Sequence, residues 1–455
     1  MHLLGGKRMD KVMNFLEEKM APIAYKLDSN LYLTAIKSGF FAAMSILIIG
    51  SIFLLLANLP INGYADFMAN IFGDNWSEFF MVPYNMTMNI MTPFVIVGIA
   101  KSLSSHYKVD DVAGIVLSLV AFLILTPSLV TPEGATGIPA SNLSASGLFV
   151  GMITAILATE IMRAVIQRGW VIRMPESVPS NVARSFSSLI PGLFVILSFN
   201  IIRMLFTLTP FETAHNFIFE VLQTPLLALG GSLPAMIIVL LFEAILWSFG
   251  IHGSQIVSGV MSPIWLSLTA GNAEAFAAGQ ALPNIINSQF YDNFIKLGGA
   301  GSTLGLALCA LFFAKSKQFK TLGKLAIGPG LFNINEPLVF GIPIVLNPIM
   351  LIPFIINPII MAIVAYVAMS TGLVNVANGV NIPWTTPPIF SGFLVSGWTG
   401  ALLQVFQIGL GGLVYYPFFK MVDQKAYMVE QGKSEEEILA EQTSDTNAPT
   451  GTPTA

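Results

Sequence analysis

The sequence predicts an all-α polytopic membrane protein with about ten transmembrane helices and re-entrant hairpins in its C-terminal half. Three observations carry that prediction. Of the 455 residues, 54% are hydrophobic and only 10% are charged, whereas a soluble domain carries about 25% charged residues. The apolar residues gather in runs of membrane-spanning length, about 20 residues. Lysine and arginine collect on alternate connecting segments. A soluble chain could not hide that much apolar surface, because surface-to-volume scaling leaves too much of it wet. The composition therefore excludes an ordinary cytosolic enzyme, a nucleic-acid binder and a disordered protein.

Residues 1–30 carry mixed charge and lack the apolar core of a cleavable signal peptide. Met9 to Leu27 reads as an amphipathic helix lying at the cytoplasmic interface, with Val12, Phe15, Leu16 and Ile23 among its apolar residues. Five spans follow, at about 31–57, 86–104, 112–130, 147–168 and 187–208. Residues 31–210 thus form one nearly continuous helical unit. The second unit, 211–430, is less regular, with spans at about 231–250, 254–270, 298–314, 342–371 and 391–418. Residues 431–455 run from an acidic stretch into a Thr- and Pro-rich tail that cannot bury a core and is expected to be disordered.

Cytoplasmic loops concentrate lysine and arginine. With the N-terminus inside, all of the 21 basic residues except Arg203 and Lys296 fall on the inner side. The outer loops 58–85, 131–146 and 372–390 contain none. Both termini are therefore expected in the cytoplasm. The same rule requires 254–270 to cross, or Lys315 to Lys324 would lie outside.

The second unit is dense in Gly, Pro and Asn. Its breaks fall at Gly250 to Gln255, Pro283 to Gln289, Gly328 to Pro337 and Asn381 to Pro388. Interrupted segments of this kind mark substrate sites in transporters. Ionisable groups at membrane depth are costly and usually functional. Here they are Glu160, Glu243, His252, Lys296 and Glu336. Glu160 stands one helical turn before Arg163 and reads as an interfacial ion pair. Glu243 is either a neutral hydrogen-bonded group or one that orients the site. Glu336 follows Asn333-Ile334-Asn335 and precedes Pro337, which biases it toward an extended backbone. A carboxylate there accepts hydrogen bonds from sugar hydroxyls and can take a proton from one; the bland alternative is a helix cap. His252 lies between glycines, in the run His252-Gly253-Ser254-Gln255.

Trp247 and Trp384 adjoin these loops. Their rings suit either the C–H face of a pyranose or an interfacial aromatic belt. Gly253, Ser254, Gln255, Asn284, Asn287, Gln289, Asn333 and Asn335 are weaker candidates for sugar contact, chosen by type and loop placement. No phosphate-binding G-x-x-x-x-G-K-[ST] loop occurs, and no metal-ligand cluster or cofactor motif is evident. Gly298 to Thr303 lacks the lysine of such a loop and reads as helix packing. The one cysteine, Cys309, sits in an apolar run and reads as buried packing.

Two segments carry a family resemblance: Phe249-Gly250-Ile251-His252-Gly253, and Phe332-Asn333-Ile334-Asn335-Glu336-Pro337-Leu338-Val339-Phe340-Gly341. The chain resembles the membrane IIC component of the bacterial phosphoenolpyruvate-dependent sugar phosphotransferase system, in its lactose/cellobiose/diacetylchitobiose branch. The resemblance covers nearly all of residues 10–430. It implies a homodimer of ten-span protomers in the bacterial inner membrane, with an N-terminal dimer domain and a C-terminal substrate domain. It implies a β-linked disaccharide taken up from outside and phosphorylated on its 6-hydroxyl. Motif matching places the family's site glutamate on Glu336 and its site histidine on His252. The donor would be a phosphocysteine on a separate IIB protein, with IIA, HPr and Enzyme I upstream. Cys309 cannot be that donor. The rival expectation is a proton-coupled secondary sugar transporter using Glu336 or Glu243.

Overall fold

The computed structural model describes Lys26 and residues 29–432, apart from residues 60, 62, 132, 133, 176, 249, 343, 345 and 346. Apart from Lys26, Gln431 and Gly432, the N-terminal amphipathic helix and the C-terminal tail expected from sequence lie outside these residues. What is described is helical, with a single two-residue β-hairpin that pairs Leu129 with Gly137 and Val130 with Thr136.

The first unit opens with α1 (Leu31–Ala57), whose limits coincide with the apolar run. Asn30 caps it: its side-chain oxygen accepts the amides of Tyr32 and Leu33 at 3.0 Å each. Short helices α2 (Tyr64–Phe72) and α3 (Trp76–Asn85) lead into α4 (Met91–Tyr107), α5 (Asp111–Leu125), α6 (Leu148–Gln167) and α7 (Leu189–Phe206). Helix α4 packs along α1, and α6 packs along α4. The expected ion pair is present, with Arg163 Nη2 2.6 Å from Glu160 Oε2. Glu160 also accepts hydrogen bonds from Tyr32 and Tyr107, so one carboxylate ties α1, α4 and α6 together.

The second unit contains α8 (Leu233–Ser248), α9 (Gly253–Ala277), α10 (Leu304–Phe313), α11 (Lys317–Leu331), α12 (Glu336–Gly341), α13 (Pro348–Ser370) and α14 (Phe390–Glu430). A 73° bend separates α8 from the helical stretch Ala214–Gly230 before it. Helix α14 is kinked where Gly397 leaves helical geometry. Two long connections, 278–303 and 371–389, are mostly irregular yet bury Asn287, Gln289, Asn293, Asn378 and Asn381. Irregular backbone buried this way is what the interrupted sequence segments anticipate. Cys309 is buried, with its thiol 3.4 Å from the carbonyl of Gly412.

Six helices among the described residues are long and apolar enough to cross a membrane, or seven if the bent pair counts as one span. The sequence led us to expect about ten. Part of the difference is length: 112–130 yields a 15-residue helix that ends before Pro127, and 298–314 yields a ten-residue one starting at Leu304. Glycines 298, 299 and 301, together with Ser302, adopt left-handed backbone, so Gly298 to Thr303 forms a loop and not the helix contact expected of it.

Candidate functional site

The site is built where α8 turns into α9. The chain leaves α8, passes Gly250 in left-handed conformation, and enters α9 with His252 as its N-terminal cap residue. Gly253 permits the corner, because a Cβ there would stand 2.4 Å from the carbonyl oxygen of Glu243. The tight corner brings Ser254 against the Glu243 side chain, to which its hydroxyl donates a hydrogen bond. The indole of Trp247 lies 3.4 Å from Ser254 Oγ, and its ring packs on the His252 imidazole with centroids 4.6 Å apart.

The second wall is the break between α11 and α12. Asn333 takes a left-handed backbone, and Glu336 becomes the first residue of α12. It is therefore not in the extended state that Pro337 was expected to impose. Proline is tolerated early in a helix, where its missing N–H has no intrahelical acceptor. Asn333 and Asn335 act as braces. Asn333 Oδ1 accepts the Gly298 amide at 2.8 Å, and its Nδ2 donates to the Trp384 carbonyl at 2.6 Å. Asn335 Nδ2 donates to the Ala300 carbonyl at 2.6 Å and to Thr303 Oγ1 at 3.0 Å. The Gly298–Thr303 loop, the α12 start and the Trp384 loop are thereby locked into one surface. Gly299, at φ +91°, has no room for a side chain, since a Cβ would meet Asn335 Oδ1 and the Asn333 carbonyl at 2.8 Å.

These walls enclose a cavity of about 490 Å³, within the size range of small-molecule sites. Eight of the twelve residues proposed from sequence line it: Trp247, His252, Ser254, Gln255, Asn333, Asn335, Glu336 and Trp384. Glu336 faces the cavity exposed, with no hydrogen-bond or ion-pair partner among the described residues. Its carboxylate is available to a ligand.

The other four lie outside the lining. Gly253 serves the corner described above. Asn284 donates its side-chain amide to the Leu268 carbonyl, and its backbone amide donates to Asn272. Asn287 accepts the Phe290 amide as a helix cap. Gln289 donates to Asn381 Oδ1 at 2.7 Å and accepts from Asn293. The polar groups of these three side chains satisfy backbone groups and the side chains of Asn381 and Asn293 instead of facing the cavity.

The structure adds residues that sequence reasoning did not place here. One face of α1 contributes Lys37, Phe40, Phe41, Met44, Leu47 and Ile48. That stripe follows the helical i, i+3, i+4, i+7 rule and was readable in principle. From the second unit come Trp265, Tyr291, Asp292 and Lys296. Lys296, expected near the outer face, instead pairs with the buried Glu243 at 3.0 Å and lies 4.3 Å over the Tyr291 ring. Tyr291 donates its hydroxyl to the other Glu243 oxygen. Among the described residues, no group of three or more metal-ligating side chains converges.

Long apolar helices around a largely apolar cavity, with a few polar side chains supplied by interrupted segments, are the architecture of a membrane transport protein. The particular class follows from comparison with known proteins. Residues 37–358 match the family model for the phosphotransferase system EIIC component, and the chain belongs to that family. It is a multi-pass membrane protein. It is 46% identical to the lichenan permease IIC component of Bacillus subtilis (strain 168), over 92% of this chain and 95% of that one. It is 45% identical to the cellobiose-specific EIIC component of Geobacillus stearothermophilus, over 93% of this chain and 97% of that one. The crystal structure of ChbC, the IIC component from the N,N'-diacetylchitobiose-specific system, superposes with a TM-score of 0.88. That protein is 46% identical, and the match covers 92% of this chain and all of the other.

Proposed function

We propose that this EIIC component binds a β-linked disaccharide of the cellobiose or N,N'-diacetylchitobiose type from outside, carries it across the membrane, and presents its 6-hydroxyl for phosphorylation by phospho-IIB. The observation that carries the reading is the convergence of an unpartnered carboxylate, Glu336, with His252, Trp247 and Trp384 on one cavity. The names of the relatives agree with it.

Phosphoryl transfer depends on positioning and charge stabilisation, because the acceptor side has little covalent chemistry to perform. Glu336 accepts the hydrogen bond of the 6-hydroxyl, orients its oxygen, and takes its proton as the oxygen–phosphorus bond forms and the phosphorus–sulfur bond breaks, the cysteine of IIB leaving as its thiolate. His252 hydrogen-bonds the sugar or the transferring phosphoryl oxygens. Trp247 and Trp384 offer ring faces to the pyranoses, and Ser254 and Gln255 offer polar contacts. The phosphoryl group arrives on a cysteine of IIB, itself supplied through Enzyme I, HPr and IIA. IIB docks on the cytoplasmic basic rim, where Lys317, Lys320 and Lys324 of α11 stand near the end of α14, which bears Lys420 and Lys425. In this reading both termini are cytoplasmic, ten segments cross the membrane, residues 31–210 form the contact of a homodimer, and residues 211–430 carry the sugar.

The test is transfer in proteoliposomes. With purified phospho-IIB and no ion gradient, sugar phosphate should accumulate on the IIB side. Delivery of free sugar that collapses with an uncoupler would instead establish a proton-coupled transporter.

A further inference from the structure

The proposed mechanism leaves the buried polar cluster around Glu243 without a role. Glu243 is only 4% exposed and does not line the sugar cavity. It stands one layer behind the wall, and three groups converge on its carboxylate. Ser254 from the first turn of α9 donates to Oε1. Lys296, from the loop after residues Tyr291–Ile295, lies 3.0 Å from the same oxygen. Tyr291 donates to Oε2. All three partners line the cavity, although Glu243 does not. Ser254 has a further contact: the Trp247 indole N–H points to its oxygen at 3.4 Å, and the Trp247 ring packs on His252.

We propose that Glu243 is a positioning residue for the sugar site: from behind the cavity wall it fixes Ser254, Tyr291 and Lys296, and through Ser254 it sets the Trp247–His252 face that receives the sugar. The chemistry favours this role over a stability role. A buried ion pair returns little net stability, because desolvation of both charges offsets their attraction. A carboxylate saturated by a hydroxyl, a phenol and an ammonium cannot move any of them without leaving a buried charge unsatisfied. The Ser254 hydroxyl is thereby oriented toward Glu243, and its lone pairs face Trp247. The indole is held by its N–H edge, which leaves its face on His252. Lys296 is held from both sides, by Glu243 and by the Tyr291 ring.

The inference deepens the proposed sugar reading, and its test reads equilibrium sugar affinity, which requires no phospho-IIB. Purified full-length protein is titrated with cellobiose and with N,N'-diacetylchitobiose. Four forms are compared: wild type, Glu243→Gln, Ser254→Ala and the double variant, each with its thermal midpoint. Glu243→Gln should weaken binding of the better disaccharide about tenfold, the order of one charge-assisted hydrogen bond. The loss in the double variant should be smaller than the product of the two single losses, because the two changes share the Glu243–Ser254 connection. Losses that multiply, or an unchanged affinity in a folded Glu243→Gln protein, would overturn the proposal. Should Glu243→Gln not fold, Glu243→Gln/Lys296→Met removes both charges and takes its place in the same cycle, with Lys296→Met as the added control. Wild-type protein that binds sugar but transfers no phosphoryl group would refute the transfer reading and leave the positioning role standing.

Discussion

Glu336→Gln should slow phosphoryl transfer to the sugar by about 10²–10⁴-fold, the range for losing a positioned general base, while the protein remains folded. The structure separates the two effects. Glu336 faces the cavity with no protein partner among the described residues, so its charge holds no other element in place. Its one contribution to the fold is a negative charge in the first turn of α12, worth about 0.3–1 kcal/mol. Glutamine keeps the volume and one oxygen acceptor but cannot take a proton. Replacing a charged acceptor by a neutral one costs on the order of 1 kcal/mol, so sugar affinity should fall by only about fivefold. The assay is single-turnover transfer from phospho-IIB at saturating sugar, with sugar affinity and thermal midpoint measured on the same preparation. A rate within about tenfold of wild type would refute the reasoning. So would a rate loss matched by an equal loss of folded protein.

Three further outcomes follow from the geometry. His252→Ala should weaken sugar binding or transfer by about tenfold, the value of one lost hydrogen bond with its ring contact; titration and single-turnover rates both unchanged would remove His252 from the site. Lys296→Met should lower the thermal midpoint, because breaking a buried pair costs about 3–5 kcal/mol before the remaining Ser254 and Tyr291 bonds offset part of it; adding Glu243→Met should recover most of the loss, and a double variant less stable than Lys296→Met would contradict the account. Gly299→Val should abolish sugar binding, because a Cβ would press on Asn335 and the Asn333 carbonyl at 2.8 Å from a left-handed backbone; titration with wild-type affinity would show that the Asn333–Asn335 brace does not shape the cavity.

The first unit was legible because its signals are local. The apolar run 31–57 gives α1, and Glu160 one turn before Arg163 gives their ion pair. The second unit was legible as irregular, but its course was not. Whether Gly298 to Thr303 packs as helix or bends as loop is decided by Asn333 and Asn335, more than 30 residues away. Within the candidate site, His252 and Glu336 stood out because charge is scarce at membrane depth. The asparagines and glutamine did not sort themselves, since the same amide can face a sugar or satisfy a buried carbonyl. Asn284, Asn287 and Gln289 do the latter. Lys37 was assigned to the inner side, and Lys296 to membrane depth near the outer side, without neighbours, because the topology rule counts positions and carries no information about side-chain contacts. Structure places Lys37 on the cavity stripe of α1 and Lys296 on Glu243.

The central claim is that the cavity between α1 and the broken segments holds a β-linked disaccharide with its 6-hydroxyl at Glu336. The measurement that tests it most directly is a structure of the full chain with cellobiose or N,N'-diacetylchitobiose bound. The account predicts the 6-hydroxyl oxygen within hydrogen-bond distance of the Glu336 carboxylate, His252 beside it, and a pyranose face on Trp247 or Trp384. A disaccharide bound elsewhere, or bound in this cavity with its 6-hydroxyl directed away from Glu336, would contradict it.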